Sequence, residues 1–98
     1  MLRVSYLFSE SGEEKAQYIR EDFAPLLKTL PDVRRVDMWH VTAVAVGEVK
    51  AQFIIDAWFD DEDAMHRAFS SAEGRTVARE IMSTDGKGME MITCEVMG

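Results

Sequence analysis

The stretch Ala51–Phe59 alternates with the period of a strand and runs directly into the start of a helix. Its odd positions, Ala51, Phe53, Ile55, Ala57 and Phe59, are all apolar, while Gln52, Ile54, Asp56 and Trp58 are mixed. A period of two places these sets on opposite faces of a sheet. Asp60-Asp61-Glu62-Asp63 follows at once. Carboxylates at such a position accept hydrogen bonds from free helix N–H groups and suit the positive end of the helix dipole. A hard-metal loop would need glycine and backbone ligands at set spacing, so the four acids read as a helix start. Ala64, Met65, Ala68 and Phe69 then form a helical stripe. Ser70-Ser71-Ala72-Glu73 is a capping box that restarts the helix, with Val77, Ala78, Ile81 and Met82 on its apolar face.

The rest of the chain supplies partners for this unit. Leu2, Val4, Tyr6 and Phe8 alternate with Arg3, Ser5 and Leu7, giving a first strand over Leu2–Phe8. Ser11-Gly12-Glu13-Glu14 reads as a second capping box, followed at helical spacing by Ala16, Ile19, Phe23, Leu26, Leu27 and Leu30. Pro25 lies inside this helix, where it lacks an N–H and crowds the preceding turn, so a kink or break is expected near Glu21–Pro25. Leu30-Pro31-Asp32 ends the element. Val33–Val46 reads as a long second strand, with Gly47-Glu48 at the tip of a hairpin into Ala51–Phe59. Thr84-Asp85-Gly86-Lys87-Gly88 reads as a flexible loop and Met89–Val96 as the last strand.

The register of the hairpin is expected to group Asp37, Trp39, Val41, Ala43 and Ala45 with Phe53, Ile55 and Phe59. Met38, His40, Thr42 and Val44 then share the other face with Ile54, Asp56 and Trp58, and a slip of one residue would mix the two sets. The order β-α-β-β-α-β, with the second helix broken in two, is the ferredoxin-like α+β arrangement: helices on one face of a four-stranded antiparallel sheet. The other sheet face, with Met38, Val44, Ile54 and Trp58, is too apolar for water, and a second copy of the chain is the economical cover.

With 98 residues the chain makes one domain, residues 1–98, and 47% apolar residues support a real core. The net charge of −7 and the lack of a basic stripe argue against nucleic acid, because that binding runs on phosphate neutralisation. Arg34-Arg35 reads as a solvated strand edge. No apolar run approaches membrane-spanning length and there is no signal-like start, so a soluble cytoplasmic protein without membrane contact is expected. Cys94, the single cysteine, leaves no internal disulfide, fits a reducing compartment, and is expected to be buried and inert.

Two blocks carry a resemblance to a known family over nearly the full length. One is Tyr18…Ala24-Pro25-Leu26 with Leu30-Pro31 and Val33. The other is Asp56-Ala57-Trp58-Phe59-Asp60-Asp61 with Ala64, Ala68-Phe69, Ser70-Ser71 and Glu73-Gly74. Together they resemble the dimeric α/β-barrel superfamily, and most its EthD-like (ethyl tert-butyl ether degradation) branch. The resemblance implies a homodimer with a β-barrel interior and a pocket for a small apolar molecule; members are often described as oxidoreductases. The family's first helix usually carries an aromatic and then a His two residues before Ala-Pro or Gly-Pro. Here those positions read Ile19 and Phe23, so the family's polar pocket residue is missing. The related haem-degrading enzymes place a His in the helix after the kink, and Arg75–Met82 contains none.

On the expected register, His40 and Asp56 are the candidate catalytic pair, the carboxylate fixing the imidazole tautomer for general-base work. Trp58, Thr42, Ile54 and Met38 are the candidate ligand-binding residues on the same face. His66 is expected to be exposed on the helix, and Tyr6 belongs by parity to the helix-facing core. Methionine fills irregular, adaptable spaces, and the chain has seven. No metal-ligand spacing and no phosphate loop is present, so neither a metal nor a cofactor is expected. Three readings follow. One is a cofactor-independent oxygenase-, isomerase- or cyclase-like enzyme acting on a small hydrophobic metabolite in catabolism. The second is a non-catalytic carrier or sensor of such a molecule. The third is an accessory protein of a degradation pathway.

Overall fold

The structure is a computed structural model describing residues 1–83 and 88–98. The elements follow the order β1 (Leu2–Phe8), α1 (Glu13–Tyr18), a π-helical turn (Ile19–Phe23), α2 (Ala24–Leu27), β2 (Arg35–His40), β3 (Phe53–Phe59), α3 (Glu62–Ser70), α4 (Ala72–Ser83) and β4 (Met89–Glu95). The strands form one antiparallel sheet in the order β2-β3-β1-β4. This is the ferredoxin-like α+β architecture. Most of the loop expected at Thr84–Gly88 lies outside the described residues. Among the described residues no helix is long and apolar enough to cross a membrane.

Burial follows the alternation of the two central strands. Val4, Tyr6 and Phe8 of β1 lie opposite Ala57, Ile55 and Phe53 of β3, and all six are buried under the helices. Ile19, Phe23, Leu27, Ala64, Ala68 and Val77 close the core from above. Phe23 is its hub, with edge-on contacts to Tyr6 at 5.2 Å and Phe8 at 5.3 Å.

The helix boundaries have local causes. Asp61 caps α3, accepting from the Ala64 N–H at 2.8 Å. Ser71, rather than Ser70, starts α4: its hydroxyl accepts from the Gly74 N–H at 3.0 Å. At α1 the N-cap is Gly12, with φ 106° and no side-chain cap bond, so the expected Ser11 box does not form. The expected kink takes the form of the π turn, in which the Ala24 N–H bonds the Ile19 carbonyl five residues back. Pro25 has no N–H to offer and would crowd the carbonyl of Glu21, and the widened turn lies over that carbonyl.

Two expectations about the hairpin are corrected. The second strand is Arg35–His40, not Val33–Val46, and the third begins at Phe53 rather than Ala51. The ladder closes with Val41 N–H to the Gln52 carbonyl at 2.8 Å, and Gln52 N–H bonds the Phe8 carbonyl at 2.6 Å. β1 ends at Phe8, so any longer hairpin would be a lone two-stranded ribbon, which is marginal in water. The face assignment of β2 is also reversed. Asp37 lies opposite Asp56, Trp39 opposite Ile54, and His40 opposite Phe53. Met38 and His40 therefore belong to the helix side, and Asp37 and Trp39 to the open face.

Candidate functional site

The reversed register separates the expected catalytic pair. His40 is exposed at the end of β2 on the helix side, stacked on Phe53 at 4.9 Å and 23° between planes. Asp56 is 2% exposed on the opposite face of the sheet. The two side chains do not meet, and no His–carboxylate dyad forms between them. Trp58 and Ile54 share the open face with Asp56, as expected. Met38 sits with His40 instead, and Thr42 lies exposed in the connection from β2 to β3.

The open face carries a connected polar network. Asp56 accepts from Ser5 Oγ at 2.5 Å and from Trp39 Nε1 at 2.9 Å, with Arg3 3.7 Å away. Asp37 accepts from Trp58 Nε1 at 2.9 Å and from Arg35 Nε at 2.9 Å. The guanidinium groups of Arg35 and Arg3 lie 4.9 and 5.7 Å from the Trp58 ring. A buried carboxylate is tolerable only when paired and hydrogen-bonded, and Asp56 meets that condition without any further group. It ties Ser5 of β1 and Trp39 of β2 to β3. Cys94 is half-buried on this face, opposite Arg3, rather than buried as expected.

The other feature is a cleft of about 270 Å³ between the first helix and the end of β2. Ala16, Ile19 and Arg20 form one wall and Met38, Trp39, His40 and Phe53 the other. A neighbouring hollow shares Ala16, Arg20, His40 and Phe53 and adds Gly12 and Glu13. The π turn begins at Ile19, on the cleft wall, and such turns recur at functional sites. The cleft lining is mostly apolar, with Arg20 and His40 as its charged or titratable members. Arg20 is held there by Glu13 at 2.8 Å, and His40 presents its exposed ring. Arg20, Ile19 and Ala16 were not among the expected site residues. Their signal was Pro25, whose effect on the helix marks this segment.

His66 is exposed as expected, 3.3 Å from Glu62 one turn back. Tyr6 is fully buried in the helix-facing core, and burial pushes its hydroxyl pKa up. Among the described residues no cluster of three metal-ligating side chains occurs.

With the geometry established, comparison with solved structures places the fold. An ethyl tert-butyl ether degradation (EthD) family protein from Bacillus halodurans C-125 superposes with a TM-score of 0.84 over 99% of both chains, at 21% identity. The chain has the EthD-like, ferredoxin-like fold. A DABB family protein from Mesorhizobium loti shares the fold at TM-score 0.73 and 13% identity, over 99% of this chain and 97% of that one. A dimeric ferredoxin-like protein of unknown function from Jannaschia sp. CCS1 does so at 0.67 and 16%, over 97% and 98%. No family model and no curated protein matches the sequence. The EthD-like likeness therefore rests on overall shape.

Proposed function

We propose that the protein is a homodimer that binds a small apolar or aromatic molecule in the cleft beside His40, as a binder rather than through a His40–Asp56 catalytic pair. The cleft carries this reading: Ile19, Met38 and Phe53 line it together with His40 and Arg20. Small-molecule sites have this mixture of apolar lining and few polar groups. The π-stacked His40–Phe53 pair offers a flat wall to a planar ring. Dimerisation is supported by the open sheet face, where Trp39 is 56% exposed and Ile92 48% exposed, and by fold relatives described as dimeric. A cytoplasmic setting suits the single free cysteine. An enzymatic reading, cofactor-independent and in catabolism, would have to use His40 without a carboxylate orienting it, so the carrier reading is preferred.

The test is NMR with methyl-labelled methionine and 2-naphthol as probe. Saturable shifts at Met38 and the His40 ring, with Met91 unmoved, are expected. Met38→Trp fills the cleft from a position 45% exposed, so it should abolish the shift of the His40 ring and leave the melting temperature unchanged. Shifts confined to residues away from the cleft, or none at millimolar probe, would refute the assignment.

A further inference from the structure

The cleft beside His40 has an electrostatic character opposite to that of the chain around it. The sequence holds 18 acidic and 11 basic residues. Four other hollows in the described surface each have a carboxylate in their lining: Glu14, Glu80, Glu95 and Glu13, one in each. The lining of the cleft has none, and Arg20 is its one permanently charged group. A cation set in a mostly apolar lining, on a chain of net charge −7, favours a negative group by local contact rather than by long-range attraction.

The bonding of Arg20 fits this. A guanidinium carries five N–H donors in a planar fork. Here Nη2 donates to Glu13 Oε1 at 2.8 Å, a contact through a single nitrogen. Arg34, by contrast, meets both oxygens of Asp60 through Nε and Nη2, the two-point arrangement that makes an arginine–carboxylate pair strong. The side chains of Arg20 and Glu13 are 54% and 82% exposed, and pairs of this kind contribute little to stability. Glu13 therefore stands beside the cleft as a weakly held carboxylate on a fork that it does not fill. A second carboxylate reaching Arg20 from the cleft would meet both points and release Glu13 to solvent.

The remaining lining sets the shape of the molecule that brings it. A volume of about 270 Å³ is at the small end of ligand pockets and suits one aromatic ring or two fused ones. The stacked His40–Phe53 pair, 23° between planes, gives the ring a flat surface. A carboxylate conjugated to such a ring lies in its plane, so both oxygens face the planar fork together. A phosphate is tetrahedral and carries more charge than one arginine neutralises.

We propose that the molecule bound in the cleft is a small aromatic carboxylic acid, its ring against the His40–Phe53 pair and its carboxylate on the Arg20 guanidinium in place of Glu13. The inference rests on the cleft reading above and names the chemical class that fills it.

NMR titration of the methyl-labelled full chain at neutral pH tests it. The probes are 2-naphthoate, its neutral isostere 2-naphthamide, and 2-naphthol, each read on the Met38 methyl. The parent protein should bind 2-naphthoate about tenfold tighter than 2-naphthamide, as expected for a hydrogen-bonded charge pair. Arg20→Gln should bind the two alike, and Arg20→Lys should keep part of the preference, because the charge stays and the fork is lost. Glu13→Gln should bind 2-naphthoate severalfold tighter than the parent does and leave 2-naphthamide unchanged, because it removes the competing carboxylate. Equal binding of 2-naphthoate and 2-naphthamide by the parent, or a preference that survives Arg20→Gln, would overturn the acid class and, with 2-naphthol still bound, leave the cleft standing. No saturable Met38 shift with any of the three probes would overturn the cleft reading as well.

Discussion

Tyr6 and Tyr18 touch the same phenylalanine yet should respond with opposite sign to loss of the hydroxyl. Tyr6 is fully buried, and among the described residues its hydroxyl has no hydrogen-bond partner. Burying a hydroxyl unpaired costs ~1–3 kcal/mol on the scale of protein mutational data. Tyr6→Phe keeps the ring, and with it the 5.2 Å edge contact to Phe23, while removing only the unpaired group. We expect a gain of ~1 kcal/mol, which for a chain of this length raises the melting temperature by ~4–8 °C. Tyr18 donates to Glu80 at 2.5 Å and is partly buried. Its loss to phenylalanine should cost ~0.5–1.5 kcal/mol. Both changes are read from urea unfolding midpoints at unchanged slope, with protein concentration held fixed. A Tyr6→Phe protein destabilised by more than ~0.5 kcal/mol would refute the reasoning, because a hydroxyl whose removal costs stability is a satisfied one.

The same two tyrosines predict the alkaline limit of the fold. Burial raises both hydroxyl pKa values, and the Glu80 hydrogen bond and charge raise that of Tyr18 further. Stability is at its full value below the ordinary tyrosine value of ~10 and falls as pH rises through the raised folded values, because the unfolded chain releases these protons first. Phenolate absorbance should therefore appear together with loss of circular dichroism, and phenolate forming in a folded protein would contradict this. At the junction of α3 and α4, a Cβ on Gly74 would meet the Ala68 carbonyl oxygen at 2.4 Å and the Phe69 Cα at 2.6 Å. These neighbours are backbone and cannot swing aside, so Gly74→Ala should cost ~1–3 kcal/mol in thermal unfolding, and a neutral outcome would mean that the two helices can separate freely.

Much of this fold was legible because its central strands alternate without ambiguity. β1 and β3 each set a wholly apolar face against a mixed one, and Phe53, Ile55, Ala57 and Phe59 are buried where the period of two puts them. The acidic run after Phe59 and the break near Ser70–Ser71 were equally readable, because capping chemistry is local. The first helix was harder. Pro25 announced a disturbance, but only its position over the sheet edge turns the disturbance into the wall of a cleft. Arg34 illustrates a third kind of feature. Its guanidinium pairs with Asp60 across the open ends of β2 and β3, holding that carboxyl below its ordinary range. The partner is set by register alone.

The reversed face of β2 follows from its misplaced end. Of the residues counted as the apolar face, Val41, Ala43 and Ala45 lie in the connection between β2 and β3 and not in a strand. Without them the choice is between Asp37 with Trp39 and Val36 with Met38 and His40, and the second set is the more apolar. Polar chemistry then settles the same register independently. Asp37 and Asp56 lie directly opposite each other, an arrangement that by itself destabilises a strand pair. It is offset by a reciprocal exchange: Trp39 of β2 donates to Asp56 of β3, and Trp58 of β3 donates to Asp37 of β2. Ser5 and Arg35 fill further acceptor positions on the two carboxylates. A slip of one residue would turn β2 over and carry Trp39 and Asp37 under the helices, leaving an indole N–H and two carboxylates without these partners. That cost, set against the modest gain of moving one aromatic ring into the core, is why the edge strand turns its indole outward and leaves His40 beside the cleft.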